Sequence, residues 1–133
     1  LGLTNVAFPS FQPYADLPAF LASADALLVP LDSGKSQLSV PSKLYHFMAT
    51  GRPILGLAAS GSEVEAVING TVCGLTAPPG SPMEIAGAVR TLSESPAKRG
   101  VWATNARAYV VEYFSKEKIL RCYDRLLERV VSP

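Results

Sequence analysis

Through its first two thirds, the chain alternates short apolar runs with segments whose apolar residues recur at helical spacing. The runs at 6–8, 26–30, 54–57 and 72–76 predict strands, and the stretches at 17–23, 42–50, 63–68 and 83–93 predict helices. Strands that alternate with helices in this way predict an α/β fold built on a parallel sheet. From residue 96 the pattern turns purely helical, with helices predicted over 96–114 and over 116–130, the latter with Ser115 at its N-cap. In the last helix Ile119, Tyr123, Leu126 and Val130, joined by Leu120 and Leu127, form one apolar stripe. Lys116, Lys118, Arg121, Arg125, Glu128 and Arg129 make the opposite, solvated face. The chain has no internal repeat and no low-complexity linker.

The most informative stretch is V-P-S-K-L-Y-H-F-M-A-T-G-R-P-I-L at 40–55. It predicts a loop and a short helix opened by Pro41, at a position where a missing N–H costs nothing. Gly51 then stops the helix and a strand starts at Pro53. A loop that leads into a helix N-terminus offers backbone N–H groups to an anion, and Ser42 and Lys43 add a hydroxyl and a positive charge there. The expected ligand carries phosphate.

This stretch resembles one family. Group 1 (family 4) glycosyltransferases, retaining enzymes of the GT-B fold that use nucleotide sugars, carry a similar loop–helix–strand ending in E-A-M-A-x-G-x-P-V. A subset from bacterial polysaccharide assembly carries P-S-K-L-Y-E-Y-M-A-x-G-R-P-[IV]-L. Pro41, Ser42, Lys43, Leu44, Tyr45, Met48, Ala49, Gly51, Arg52 and Pro53 match it. Upstream, N-V-A-F-P-S at 5–10 resembles the family's V-x-F-x-G strand, and L-P-A-F-L-A-S-A-D-A-L-L-V-P follows at 17–30. Downstream, G-S-E-V-E-A-V-I-N-G-T-V-C-G-L at 61–75 is similar to G-G-x-x-E-I-V-x-D-G-x-x-G-L, and the final helices fit as well.

The resemblance implies a Rossmann-like, C-terminal GT-B domain with a parallel sheet, flanking helices and two or three helices at its end. In the family this sheet has six strands in the order 3-2-1-4-5-6, and the stretch beginning at Asn5 resembles the third. The first two strands have no counterpart here. The strands matching four to six can pair side by side, whereas the one at Val6 loses its neighbour. Residues 1–133 are therefore expected to be part of a longer protein, without the N-terminal domain that holds the acceptor. By itself such a chain is expected to be inactive, because the GT-B site lies between two domains. Association with a second copy could cover the exposed edge.

In the wider family two glutamates eight residues apart contact the donor sugar and the nucleotide ribose. Here those positions are Leu38 and His46. An imidazole gives or takes one hydrogen bond and cannot grip two hydroxyls as a carboxylate does. His46 is read as a ribose contact, with a solvent-facing helix residue as the alternative. The resemblance implies donor contacts from Ser39, Val40, Ser42, Lys43 and His46, with Gly61 and Ser62 lining the pocket. Lys43 is read as a diphosphate contact, against a plain surface lysine. Tyr45 and Met48 are expected to pack the helix on the sheet. Asp32, Ser33, Gly34 and Lys35 border the donor sugar or form a loop, and Glu65 is a helix-start carboxylate more than a base. Gly34-Lys35-Ser36 resembles the end of a P-loop, but the first glycine that motif needs is Val29. No G-x-G-x-x-G follows a strand either.

At 133 residues and a formal charge of +1, about half apolar, the chain is the size of one domain with a sizeable core. The balance of charge gives no footprint for nucleic acid. No apolar run reaches the ~20 residues of a bilayer span, and no charged segment precedes an apolar one at the start. The expected location is cytoplasmic, free or peripheral at the inner face of the membrane. Cys73 and Cys122 lack metal-ligand spacing and are read as reduced and buried. Asn69-Gly70-Thr71 is read as a turn in place of a glycosylation site.

The expected function is transfer of a sugar from a nucleoside-diphosphate sugar to a glycan or lipid-linked acceptor, with retention. UDP is the commonest nucleotide of the resembling subset, and no metal or other cofactor is expected. Two alternatives stay open: a nucleotide-sugar epimerase of the same fold, and a non-catalytic domain that binds a protein partner.

Overall fold

The structure, a computed structural model, describes residues 2–31 and 41–131. Helix α1 (Leu17–Ala22) leads to strand β1 (Leu27–Pro30), then α2 (Ser42–Ala49), β2 (Ile54–Leu57), α3 (Glu63–Thr71) and β3 (Gly74–Ala77). Three helices follow: α4 (Pro82–Glu94), α5 (Pro96–Phe114) and α6 (Lys116–Val131). The strands form one parallel sheet in the order β1-β2-β3, with Leu27 opposite Ile54 and Ile54 opposite Gly74. This is the α/β, Rossmann-like arrangement the sequence predicts, and it ends in helices as expected.

Successive strand residues point to opposite faces, so the sheet has two cores. On one face Leu27, Val29 and Ile54 meet Leu44 and Met48 of α2, Val64, Val67 and Ile68 of α3, and Ala106 of α5. On the other face Leu55 meets Leu92 of α4 and Trp102 of α5. Helix α3 comes very close to β2 at Gly56, where an added Cβ would stand 2.5 Å from Ile68 Cδ1. The central strand β2 is buried on both faces, whereas in β1 Leu28 is 47% exposed. Leu27 and Leu31 donate their N–H groups to β2, so by alternation Leu28 and Pro30 face the outer edge, and proline has no N–H to offer there.

Three expectations are corrected. The apolar run at 6–8 forms no strand: the segment is exposed, with Phe8 at 93%, because no strand among the described residues pairs with it. Asn69-Gly70 is not a turn but part of α3, and the reversal falls on Val72 at φ +50°. That left-handed conformation is unusual for a β-branched residue. It is secured by Asn105 Nδ2, which donates to the Val72 carbonyl at 3.0 Å, and by the Cys73 N–H, which donates to the Ile68 carbonyl at 3.2 Å. Cys73 is buried as expected, but Cys122 is exposed, because α6 buries none of its residues. Both cysteines are free thiols.

Candidate functional site

Helix α2 forms where the sequence places it. Its interior is free of Gly and Pro, Leu44 and Met48 lie four apart on the buried face, and Thr50 ends it with Gly51 at φ +67°. Only glycine takes that conformation at little cost, and it lets the Thr50 and Gly51 N–H groups bond the Phe47 and Met48 carbonyls. Arg52 of the same motif donates to the Ala22 carbonyl and so ties the end of α1 to the approach to β2. Tyr45 is half-buried against the core, and Met48 is fully buried, as expected of both. Burial raises the Tyr45 pKa above the usual tyrosine value, and Tyr109 and the Glu63 carboxylate add to this.

Ser42, Lys43 and His46 are exposed on the side of α2 opposite its core residues. Lys43 and His46 are three apart and share a face. Adjacent parallel strands run the same way about 4.8 Å apart, so the starts of α2 and α3 both emerge at the carboxyl end of the sheet. Ser42 and Lys43 are thereby brought to the same edge as Gly61 and Ser62. Open α/β sheets bind ligands at this edge.

The two helix starts differ in chemistry. At α3 the Ser62 hydroxyl accepts from the Glu65 N–H at 3.3 Å, and the Glu65 carboxylate accepts from the Gly61 N–H at 2.6 Å. This is a capping box displaced by one residue. It gives Glu65 the helix-start role expected of it and leaves Ser62 1% exposed. Gly61 and Ser62 thus spend their donor and acceptor inside the fold, and the S-x-x-E spacing at 62–65 is the sequence signal for it. At α2 no side chain among the described residues caps the helix: Pro41 precedes it, and the Leu44 N–H bonds the Pro41 carbonyl at 2.9 Å. The Ser42 and Lys43 amides find no backbone partner among the described residues.

His46 opens into a different place. It lines an apolar groove of about 580 Å³ between α1 and α2, together with Tyr14, Leu17, Leu21, Thr50 and Arg107. Lys43, Gly61 and Ser62 do not line this groove. A larger concavity of about 680 Å³ between α3 and α5, bordered by Glu63, holds none of the predicted site residues. Ser39 and Val40, like Asp32, Ser33, Gly34, Lys35 and Leu38, lie outside the described residues. Among the described residues no three of His, Cys, Asp and Glu cluster as metal ligands, and no helix is long and apolar enough to cross a membrane.

Comparison with known proteins agrees with this arrangement. The family model for glycosyl transferases group 1 matches residues 1–95. A probable glycosyltransferase, WbjE of Pseudomonas aeruginosa, is 34% identical over 117 residues, which are 86% of this chain and 29% of that protein. The chain thus spans less than a third of the length of this relative. No solved structure matches it. With a parallel α/β sheet and a family match over most of its length, the chain belongs to the group 1 glycosyltransferases.

Proposed function

We propose that this chain is part of the donor-binding, C-terminal domain of a GT-B glycosyltransferase that moves a sugar from a nucleoside-diphosphate sugar to a glycan or lipid-linked acceptor, with retention. The observation that carries the proposal is the contrast between the two helix starts. The start of α3 is closed by its own Ser62 and Glu65, while that of α2 has no side-chain cap among the described residues and carries Lys43 in its first turn. An uncapped helix start beside a lysine suits a diphosphate. Charge accumulates on that diphosphate as the sugar–phosphate bond breaks, and preorganised amides with an ammonium group stabilise it as it forms.

On this reading the first turn of α2 meets the diphosphate without help from a metal or other cofactor. His46, standing where the wider family has a glutamate, supplies one hydrogen bond to a ribose hydroxyl. Ser39 and Val40 are read as further donor contacts. The match to P-S-K-L-Y-x-x-M-A-x-G-R-P favours the bacterial polysaccharide subset and a UDP-sugar. The acceptor and the rest of the catalytic groups belong to parts of the protein outside these residues, and the chain alone is inactive. The residues at 38 and 46 favour one second reading, a non-catalytic domain, because neither is a carboxylate.

Calorimetric titration of the intact parent protein with UDP, GDP and ADP, beside a Lys43→Ala variant, tests the proposal. One nucleotide should bind, and the variant should weaken it at least about tenfold, or ~1.4 kcal/mol. Binding of none would refute the donor-site reading and favour the non-catalytic one.

A further inference from the structure

Four aromatic rings gather where α2, α3 and α5 approach one another. Tyr45 of α2 stacks on Phe114, the last residue of α5, with ring centroids 4.3 Å apart and planes inclined by 26°. Tyr109 closes the cluster, 5.6 Å from Phe114 and 5.1 Å from Tyr113. Glu63, the first residue of α3, is near enough to Tyr45 to act on its hydroxyl. The end of α5 therefore meets α2 beside the start of α3, close to the edge where both helix starts emerge.

The other end of α2 has a separate hold on α5. Arg107 donates to the Ala49 carbonyl, and its aliphatic stem lies 3.6 Å from where a Cβ on Gly51 would stand. Helix α2 is thus gripped twice, by Phe114 on Tyr45 and by Arg107 on Ala49. Tyr45 is two residues from Lys43 and adjacent to His46, whereas the Arg107 contact is a turn further on. The stack is the grip nearer the first turn and Lys43, while Arg107 shares the groove that His46 lines.

We infer that Phe114 is a positioning residue of the donor site: by stacking on Tyr45, its ring fixes where α2 presents its first-turn amides, Lys43 and His46. The inference rests on the donor-site reading above. Phe114 touches no part of the ligand. It acts because amides and an ammonium group bind a diphosphate well only when their geometry is held, and displacements near 1 Å are costly. An aliphatic side chain at 114 would keep apolar volume at the joint but lose the ring face.

The test is titration of the intact parent protein and its Phe114→Leu and Phe114→Tyr variants with UDP, GDP and ADP in turn, with thermal melting of each. Val111→Ala, an exposed position on the same helix, serves as control. Phe114→Leu should weaken the bound nucleotide about three- to tenfold, the size of one aromatic pair. Phe114→Tyr and Val111→Ala should bind as the parent does. If Phe114→Leu melts too low to titrate, Tyr45→Leu removes the same stack from its other side and should show the same loss.

Each opposing outcome has its own meaning. A parent that binds a nucleotide, with Phe114→Leu or Tyr45→Leu binding equally well, would overturn the positioning role and leave the donor site standing. Equal weakening in Phe114→Tyr would show that the ring is not the agent and would also overturn it. A parent that binds none of the three nucleotides would remove the donor-site reading, and this inference with it.

Discussion

Replacing Gly74 by alanine should cost this domain a large part of its stability, although it adds a single carbon. Gly74 opens β3 directly opposite Ile54 of the central strand. A Cβ there would stand 1.8 Å from the Ile54 carbonyl oxygen, 2.7 Å from its carbon and 2.8 Å from its nitrogen. Carbon and oxygen normally come no nearer than ~3.3 Å, so the overlap is about 1.5 Å. All three atoms are backbone, and no side chain can swing aside to make room. The strands must separate, which breaks the bonds from the Ile54 N–H to Cys73 and from the Ala58 N–H to Ala77, each 3.0 Å long. Those two bonds contribute about 2 kcal/mol together. Opening the sheet beside the buried Cys73 and Ala77 brings the loss to at least about 4 kcal/mol, against ~5–15 kcal/mol for a typical domain. Gly70→Ala is the matched control: nothing lies within 4 Å of its added Cβ, and a helical alanine should gain about 0.5–1 kcal/mol. Urea unfolding of the parent protein, followed by far-ultraviolet circular dichroism, measures both. Gly74→Ala within about 1 kcal/mol of the parent would refute the pairing of β2 with β3 in this register.

Three further outcomes follow from local chemistry. Ser62→Ala should lower stability by about 1 kcal/mol through loss of the α3 cap, read in the same unfolding experiment, and an unchanged midpoint would show that the cap is not formed. A thiol reagent at neutral pH should label Cys122 and spare Cys73 until the protein is unfolded. Burial raises the Cys73 pKa, chiefly by desolvation, so the native state keeps its proton at a pH where the unfolded chain releases it. Stability should therefore fall as pH rises past the ordinary thiol value of 9.0, and a flat profile there would count against this burial.

Much of the fold was legible because local and global signals agreed. The two ends of α2 were fixed by Pro41 and Gly51, and α5 begins at Pro96 and ends at Phe114 as the pattern predicts. The apolar run at 6–8 failed because a strand is a property of a pair: its residues suit a sheet, but pairing needs a neighbour that a sequence pattern cannot supply. The stripe on α6 was read correctly as a pattern, yet Leu120, Tyr123, Leu126 and Leu127 are each at least half exposed, since periodicity tells which face is apolar and not what covers it. At the candidate site the motif predicts a helix from residue 42, and α2 forms there. That Gly61 and Ser62 are occupied by Glu65 depended on side-chain geometry, although S-x-x-E at 62–65 was a visible signal for it. The Tyr45–Phe114 stack joins residues 69 positions apart, a pairing that no local pattern encodes.

Pro30 limits the outer edge of β1, which has no partner strand among the described residues. An outer edge that alternated amide and carbonyl along its whole length would accept almost any extended peptide and would invite aggregation. Here the outward position at 28 has a donor and the one at 30 has none, so an added strand can complete its ladder only along the first half of β1. A neighbour that pairs along Leu28 alone loses nothing by this, while one that runs on past Pro30 leaves a carbonyl without a partner. One proline thus sets how far along this edge a neighbouring strand can pair.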